Sequence, residues 1–305
     1  MRRTSIFLAI AFGSTAWFAC GHEQSPLVEP QPTTPDEALF QAALTLYDAM
    51  NYAEAQPKFD ELWTNYPSSN RRDNAGYLRG RCRYELKDYA AAVATLTEMR
   101  AAYAASKYAH SAAYFVGRSH FELLDYPKAI VAFREALTID GAGLYADNAQ
   151  YFLGRASYEA GDRATARTEL AKLESDFPMS SYLDNARYYL GRTYYDEARY
   201  AEAIPVFGRV ALTPGSIYLD DAGYYTARSH YALGDLTQAW TALESLLTAF
   251  PTSQYADNAL YYEVRISADR ADCAAAQAKL KELQTRFPAS PNLSLARNYL
   301  PAHGC

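Results

Sequence analysis

Apolar and aromatic residues recur at spacings of three and four in short blocks along this chain, and the blocks return every 36 or 37 residues. Such spacing places side chains on one face of an α-helix. One alanine marks the start of each unit: Ala38, Ala75, Ala112, Ala149, Ala186, Ala222, Ala259 and Ala296. A short polar break follows, as at Lys87-Asp88 or Gly234-Asp235, and then a second block. That block carries Ala55, Ala92, Ala129, Ala166, Ala203, Ala239 or Ala276, and four residues later Phe59, Leu96, Phe133, Leu170, Phe207, Leu243 or Leu280. The alanine lets two helix backbones approach, and the larger residue fills the space beside it. Units close with Tyr66-Pro67, Phe177-Pro178, Phe250-Pro251 or Phe287-Pro288, where proline cannot continue a helix. The pattern predicts an all-α solenoid of seven helix pairs plus a C-terminal capping helix, spanning residues 36–305. Asp73-Asn74, Asp147-Asn148, Asp184-Asn185 and Asp257-Asn258 stand at the starts of first helices and are expected to cap them. Pro205, inside a second helix, and a loop one residue shorter near Thr213-Pro214-Gly215 predict a local irregularity in unit five.

Gly80, Gly117, Gly154 and Gly191, the second-helix alanines and the closing prolines fall at the spacing of the tetratricopeptide repeat, which this unit resembles in lengthened form. The stretch from Phe250 to Tyr262 is similar to repeats in exported bacterial envelope proteins of the BamD and YbgF (CpoB) types. The resemblance covers roughly residues 36–300. It implies a non-enzymatic scaffold of the cell envelope that binds an envelope protein, with a polysaccharide-binding or export accessory role as the alternative.

Six arginines stand in register: Arg81, Arg118, Arg155, Arg192, Arg228 and Arg265. In tetratricopeptide arrays the first helices line the concave side, and four positions of each share that face. Here they are Asn74, Tyr77, Arg81 and Tyr84; Tyr114 and Arg118; Asn148, Tyr151, Arg155 and Tyr158; Asn185, Tyr188, Arg192 and Tyr195; Tyr224, Arg228 and Tyr231; and Asn258, Tyr261 and Arg265. A guanidinium offers a planar fork of donors and stays charged, and tyrosine can stack on it. Such a wall suits an extended or acidic peptide, or a glycan that stacks on tyrosine. The same column also reads as mortar between repeats, each arginine lying on tyrosines of adjacent units. Arg155 and Arg192 mark its centre.

The N-terminal segment, residues 1–19, reads as an export signal: Arg2 and Arg3, then the apolar run Ile6–Phe12, then Ala19 before Cys20. Ala19-Cys20 resembles a lipoprotein processing site, although Trp17 and Phe18 depart from it; an ordinary signal cut near Ala19 is the other reading. Gly21 follows Cys20 in place of the Asp that marks inner-membrane retention in enteric bacteria, so the expected location is the periplasmic side of the outer membrane. Residues 20–35, with Pro26, Pro30, Pro32 and Pro35, read as an extended tether. Removing residues 1–19 lowers Lys plus Arg from 29 to 27 against 35 acids, a net charge of −8, which argues against nucleic acid. Cys82 is expected as a buried thiol, and Cys273 is expected to bridge to Cys305 in an oxidising periplasm. The histidines and acids form no catalytic or metal-binding motif, and no cofactor is implied.

Overall fold

The structure, a computed structural model, describes residues 34–305. The signal segment, Cys20 and almost all of the tether lie outside the described residues. Fifteen α-helices and no strand make up the rest: α1 (Pro35–Asp48), α2 (Tyr52–Asn65), α3 (Arg72–Glu85), α4 (Tyr89–Ala102), α5 (Ala109–Glu122), α6 (Tyr126–Ile139), α7 (Ala146–Glu159), α8 (Arg163–Asp176), α9 (Leu183–Asp196), α10 (Tyr200–Val210), α11 (Leu219–Ala232), α12 (Leu236–Ala249), α13 (Ala256–Asp269), α14 (Cys273–Arg286) and α15 (Asn292–Ala302). Each odd helix pairs with the even helix after it, giving seven pairs and a cap. Each even helix also packs on the next odd helix, so the array is continuous.

The recurring small residues do what the pattern requires. All seven second-helix alanines are buried. The first-helix alanine is buried in every unit that has a predecessor, whereas Ala38, with none among the described residues, is exposed. The first-helix glycines give the large residue of the partner helix its room. A Cβ on Gly117 would stand 2.7 Å from Phe133, and one on Gly191 2.5 Å from Phe207.

Capping differs from expectation. The first helices have no side-chain cap at their N-cap residues, which are Arg71, Tyr108, Tyr145, Tyr182, Tyr218 and Tyr255 from unit two onward. Five of the seven second helices are capped instead: Asp88, Asp125, Asp162, Asp235 and Asp272 each accept a backbone N–H three residues on, whereas Asn51 and Arg199 make no such bond. The first-helix aspartates instead join units. Asp73, Asp147 and Asp257 accept hydroxyl bonds from Ser106, Ser180 and Ser290 in the next inter-unit turn, at 2.6–2.7 Å.

The irregularity of unit five lies in its loop and not at its proline. Pro57 sits in α2 at the place matching Pro205, and α2 keeps 14 residues, whereas α10 stops after 11 at Val210. Beyond this point the apolar core breaks into smaller clusters. Gly208, Ala211 and Gly223 line a cleft of about 320 Å³ there.

Candidate functional site

Successive first helices touch one another, as in α3 with α5, α5 with α7, α7 with α9 and α9 with α11. That close approach puts them on the inner side of the array and brings the arginine column onto one face. Each guanidinium lies at a boundary between units. Arg81 sits 3.7 Å above the Phe115 ring of the next unit, and Arg118 sits 4.0 Å above Phe152. Arg155 lies between Phe121 and Tyr189, at 5.1 and 5.0 Å. Arg192 faces Tyr225 at 4.3 Å, Arg228 is surrounded by Tyr195, Tyr224 and Tyr262, and Arg265 by Tyr231, Tyr261, Tyr262 and Tyr299. The Nε of all six is enclosed without a hydrogen bond among the described residues. Burial pulls the Arg81 pKa down, but the nearby tyrosines and Glu85 outweigh it and hold the group above its ordinary value.

The tyrosines are less available than the column suggested. Tyr77, Tyr114, Tyr151, Tyr188 and Tyr224 are buried. Each stacks nearly flat on a tyrosine of the next inter-unit turn: Tyr108, Tyr145, Tyr182, Tyr218 and Tyr255, with centroids 4.4–5.4 Å apart. Offset stacks of this kind stabilise an interface by about 0.5–1.5 kcal/mol each beyond the area they bury. These five rings therefore fill the joints and do not present faces to a groove. The turn tyrosines were not singled out in the sequence, although they recur at the same period. Tyr84, Tyr158, Tyr195 and Tyr231 are half-buried at the edge, and burial pushes the Tyr84 and Tyr195 hydroxyls up to about 12. Tyr261 is half-buried as well. Asn148 and Asn185 donate to Tyr182 and Tyr218 at 3.0 and 3.1 Å, so they pin the turns, and the Asn258 amide donates to Asp257. The Asn74 backbone N–H donates to Asp73.

Carboxylates offset much of the charge. Arg81 pairs with Glu85 at 2.8 Å, Arg118 with Glu122 at 3.0 Å, Arg155 with Glu159 at 3.8 Å and Arg192 with Asp196 at 3.6 Å, each four residues on. Arg228 has Ala232 at that place, and Arg265 has Asp269, which accepts bonds from Tyr231 and Tyr299 instead.

Elsewhere, Cys273 and Cys305 are joined, tying α14 to the end of the cap. Cys82 is a buried free thiol whose pKa burial raises to about 12. Glu263, which sequence reading passed over, is fully buried beside Lys279 at 2.8 Å. Among the described residues no group of three or more His, Cys, Asp or Glu is placed to hold a metal ion, and no helix is long and apolar enough to cross a membrane.

The family model described as "YfiO: Outer membrane lipoprotein" matches residues 32–138 and 145–259. No curated protein matches the chain in sequence. Among solved structures, the C-terminal part of a tetratricopeptide repeat protein from Cytophaga hutchinsonii aligns with TM-score 0.67 and 22% identity, covering 84% of this chain and 98% of that one. A tetratricopeptide repeat protein from Parabacteroides merdae aligns with TM-score 0.54 and 13% identity, covering 88% and 99%. The apo form of RapI aligns with TM-score 0.62 and 13% identity, covering 87% and 79%. These likenesses establish the tetratricopeptide-type solenoid.

Proposed function

The chain belongs to the YfiO family of outer membrane lipoproteins, and from that premise we propose that it is a non-enzymatic scaffold on the periplasmic side of the outer membrane, anchored through Cys20. Its first-helix face holds an extended segment of an envelope protein partner. One observation carries this reading. Six arginines stand on one inner face whose joints are locked by stacked tyrosines, yet the side chains of the first four stay partly open, from 15% exposed at Arg81 to 30% at Arg155. A wall held rigid in this way binds with little ordering cost.

A polysaccharide ligand finds less support. It would need open ring faces, and five of the first-helix tyrosines are buried in the joints. Photocrosslinking in cells tests the scaffold reading. A photoreactive side chain at Asn74 or Asn148 should capture a discrete protein, and one at Val131 on α6, which is 65% exposed, should not. Adducts at Val131 alone would sink the proposal.

A further inference from the structure

We infer that the last two arginines of the column, Arg228 and Arg265, form the carboxylate-binding part of this face and take an acidic segment of the partner polypeptide. The inference rests on the inner-face reading above and narrows it to units six and seven.

Charge distribution makes the case. In units two to five each column arginine has an acid one helical turn on, in ion-pair contact. Arg81 and Arg118 also spend Nη donors on tyrosine hydroxyls, as does Arg192 on Tyr188. An incoming carboxylate there must compete with a bound one and meets like charge. In unit six the acid is replaced by Ala232, which is exposed at the end of α11. In unit seven Asp269 is drawn to the cap by the Tyr231 and Tyr299 hydroxyls at 2.7 and 2.5 Å and by His303 at 3.6 Å. Among the described residues neither Arg228 nor Arg265 forms an ion pair; the neutral hydroxyls of Tyr262 and Tyr299 are their polar neighbours. Both are half-buried, held by three and four tyrosine rings, with Nε enclosed. With no carboxylate paired to either guanidinium, an incoming one meets no bound competitor. A fixed, partly desolvated guanidinium is the strong form of that contact.

The test uses the full chain without its signal and a fluorescent hexaglutamate peptide, with hexaglutamine as the neutral control. Hexaglutamate should bind more tightly than hexaglutamine, and its affinity should fall steeply with salt. R228Q/R265Q should weaken it about tenfold or more. A232E supplies the missing acid to Arg228 without removing any packing and should weaken hexaglutamate binding while leaving thermal stability intact. K128Q, on the exposed face of α6, controls for general charge and should change nothing. Equal binding of both peptides overturns the carboxylate assignment, and retained photocrosslinks at Asn148 would then leave the scaffold reading standing. Unaltered affinity in A232E also overturns it, as does failure of wild type to bind hexaglutamate. Preference for an oligogalacturonate over hexaglutamate overturns the assignment to a polypeptide.

Discussion

The Arg81 guanidinium carbon lies 3.7 Å above the centroid of the Phe115 ring, across the boundary between units two and three. Arg81 is thus both a charge on the inner face and a packing element of the joint. Replacing it by Ala removes a cation–π contact and the apolar stem, so stability should fall, by about 1–2 kcal/mol. The coupling between R81A and F115L, read by urea denaturation of both singles and the double, should come to about 0.5–2 kcal/mol. Strict additivity would assign Arg81 to the surface alone.

His110 and Gly143 stand in place of the Asp–Ser pair that forms at Asp36, Asp73, Asp147, Asp220 and Asp257. His110 takes the place of the first-helix Asp; its Nδ1 lies 2.9 Å from the Ala136 carbonyl, and its Nε2 accepts the Tyr145 N–H at 3.3 Å. Nδ1 is therefore the protonated nitrogen. Gly143 stands where the other turns carry Ser, and a Cβ there would lie 2.9 Å from both His110 and Asp140. H110D alone should destabilise by about 1–2 kcal/mol through lost buried hydrogen bonds. G143S alone should do so through the clash. The double variant should be less destabilised than the sum of the two by about 1 kcal/mol, with Asp140 preventing full recovery. Thermal melts of the three variants decide it; a double variant at the sum or below removes the pairing.

Helix pairs, the cap, the buried alanines and the register of the arginines were legible in the sequence, because a packing unit repeated every 36 or 37 residues writes its core positions into the period. What escaped was set between units. Asp73 looks like a cap when read locally, yet its partner Ser106 is 33 residues away. Tyr114 looks like a groove residue, yet Tyr145 covers it. The Cys82 thiol shows how neighbours decide the outcome: small residues at its place in other units signalled burial, which is what it has. One functional signal was readable and passed over: an acid follows four residues after each arginine through unit five, and Ala232 breaks that series.

Thiol counting addresses the cap. In guanidinium without reductant, the chain apart from Cys20 should present one reactive thiol, Cys82, because Cys273 and Cys305 are joined. Reduction should expose three and release α15, whose hold on α13 and α14 the bridge secures, with a loss of about 4 kcal/mol on the loop-entropy model. Three thiols before reduction would refute the bridge.

Glu263 gives the clearest prediction about pH. Units three to five hold Val116, Leu153 and Leu190 at the matching place, all buried, whereas unit seven buries a carboxylate with Lys279 at 2.8 Å as its cation. Burial raises the Glu263 pKa above the ordinary 4.5, and Lys279 only partly restores it. A carboxyl whose folded pKa is raised binds its proton more tightly in the folded state. Its stabilising contribution is therefore fully present below about 4.5 and is lost as pH rises through the folded value. The stability of wild type minus that of E263Q should fall as pH climbs above about 4.5, since Gln does not titrate. K279M strands the carboxylate and should steepen that fall, costing about 3 kcal/mol near neutral pH. E263L/K279M restores the apolar choice of units three to five and should match or exceed wild type near neutral pH, because replacing a buried pair removes its desolvation cost. Urea midpoints across the range provide the readout, and a wild-type-minus-E263Q difference flat with pH would show that Glu263 does not titrate within the fold.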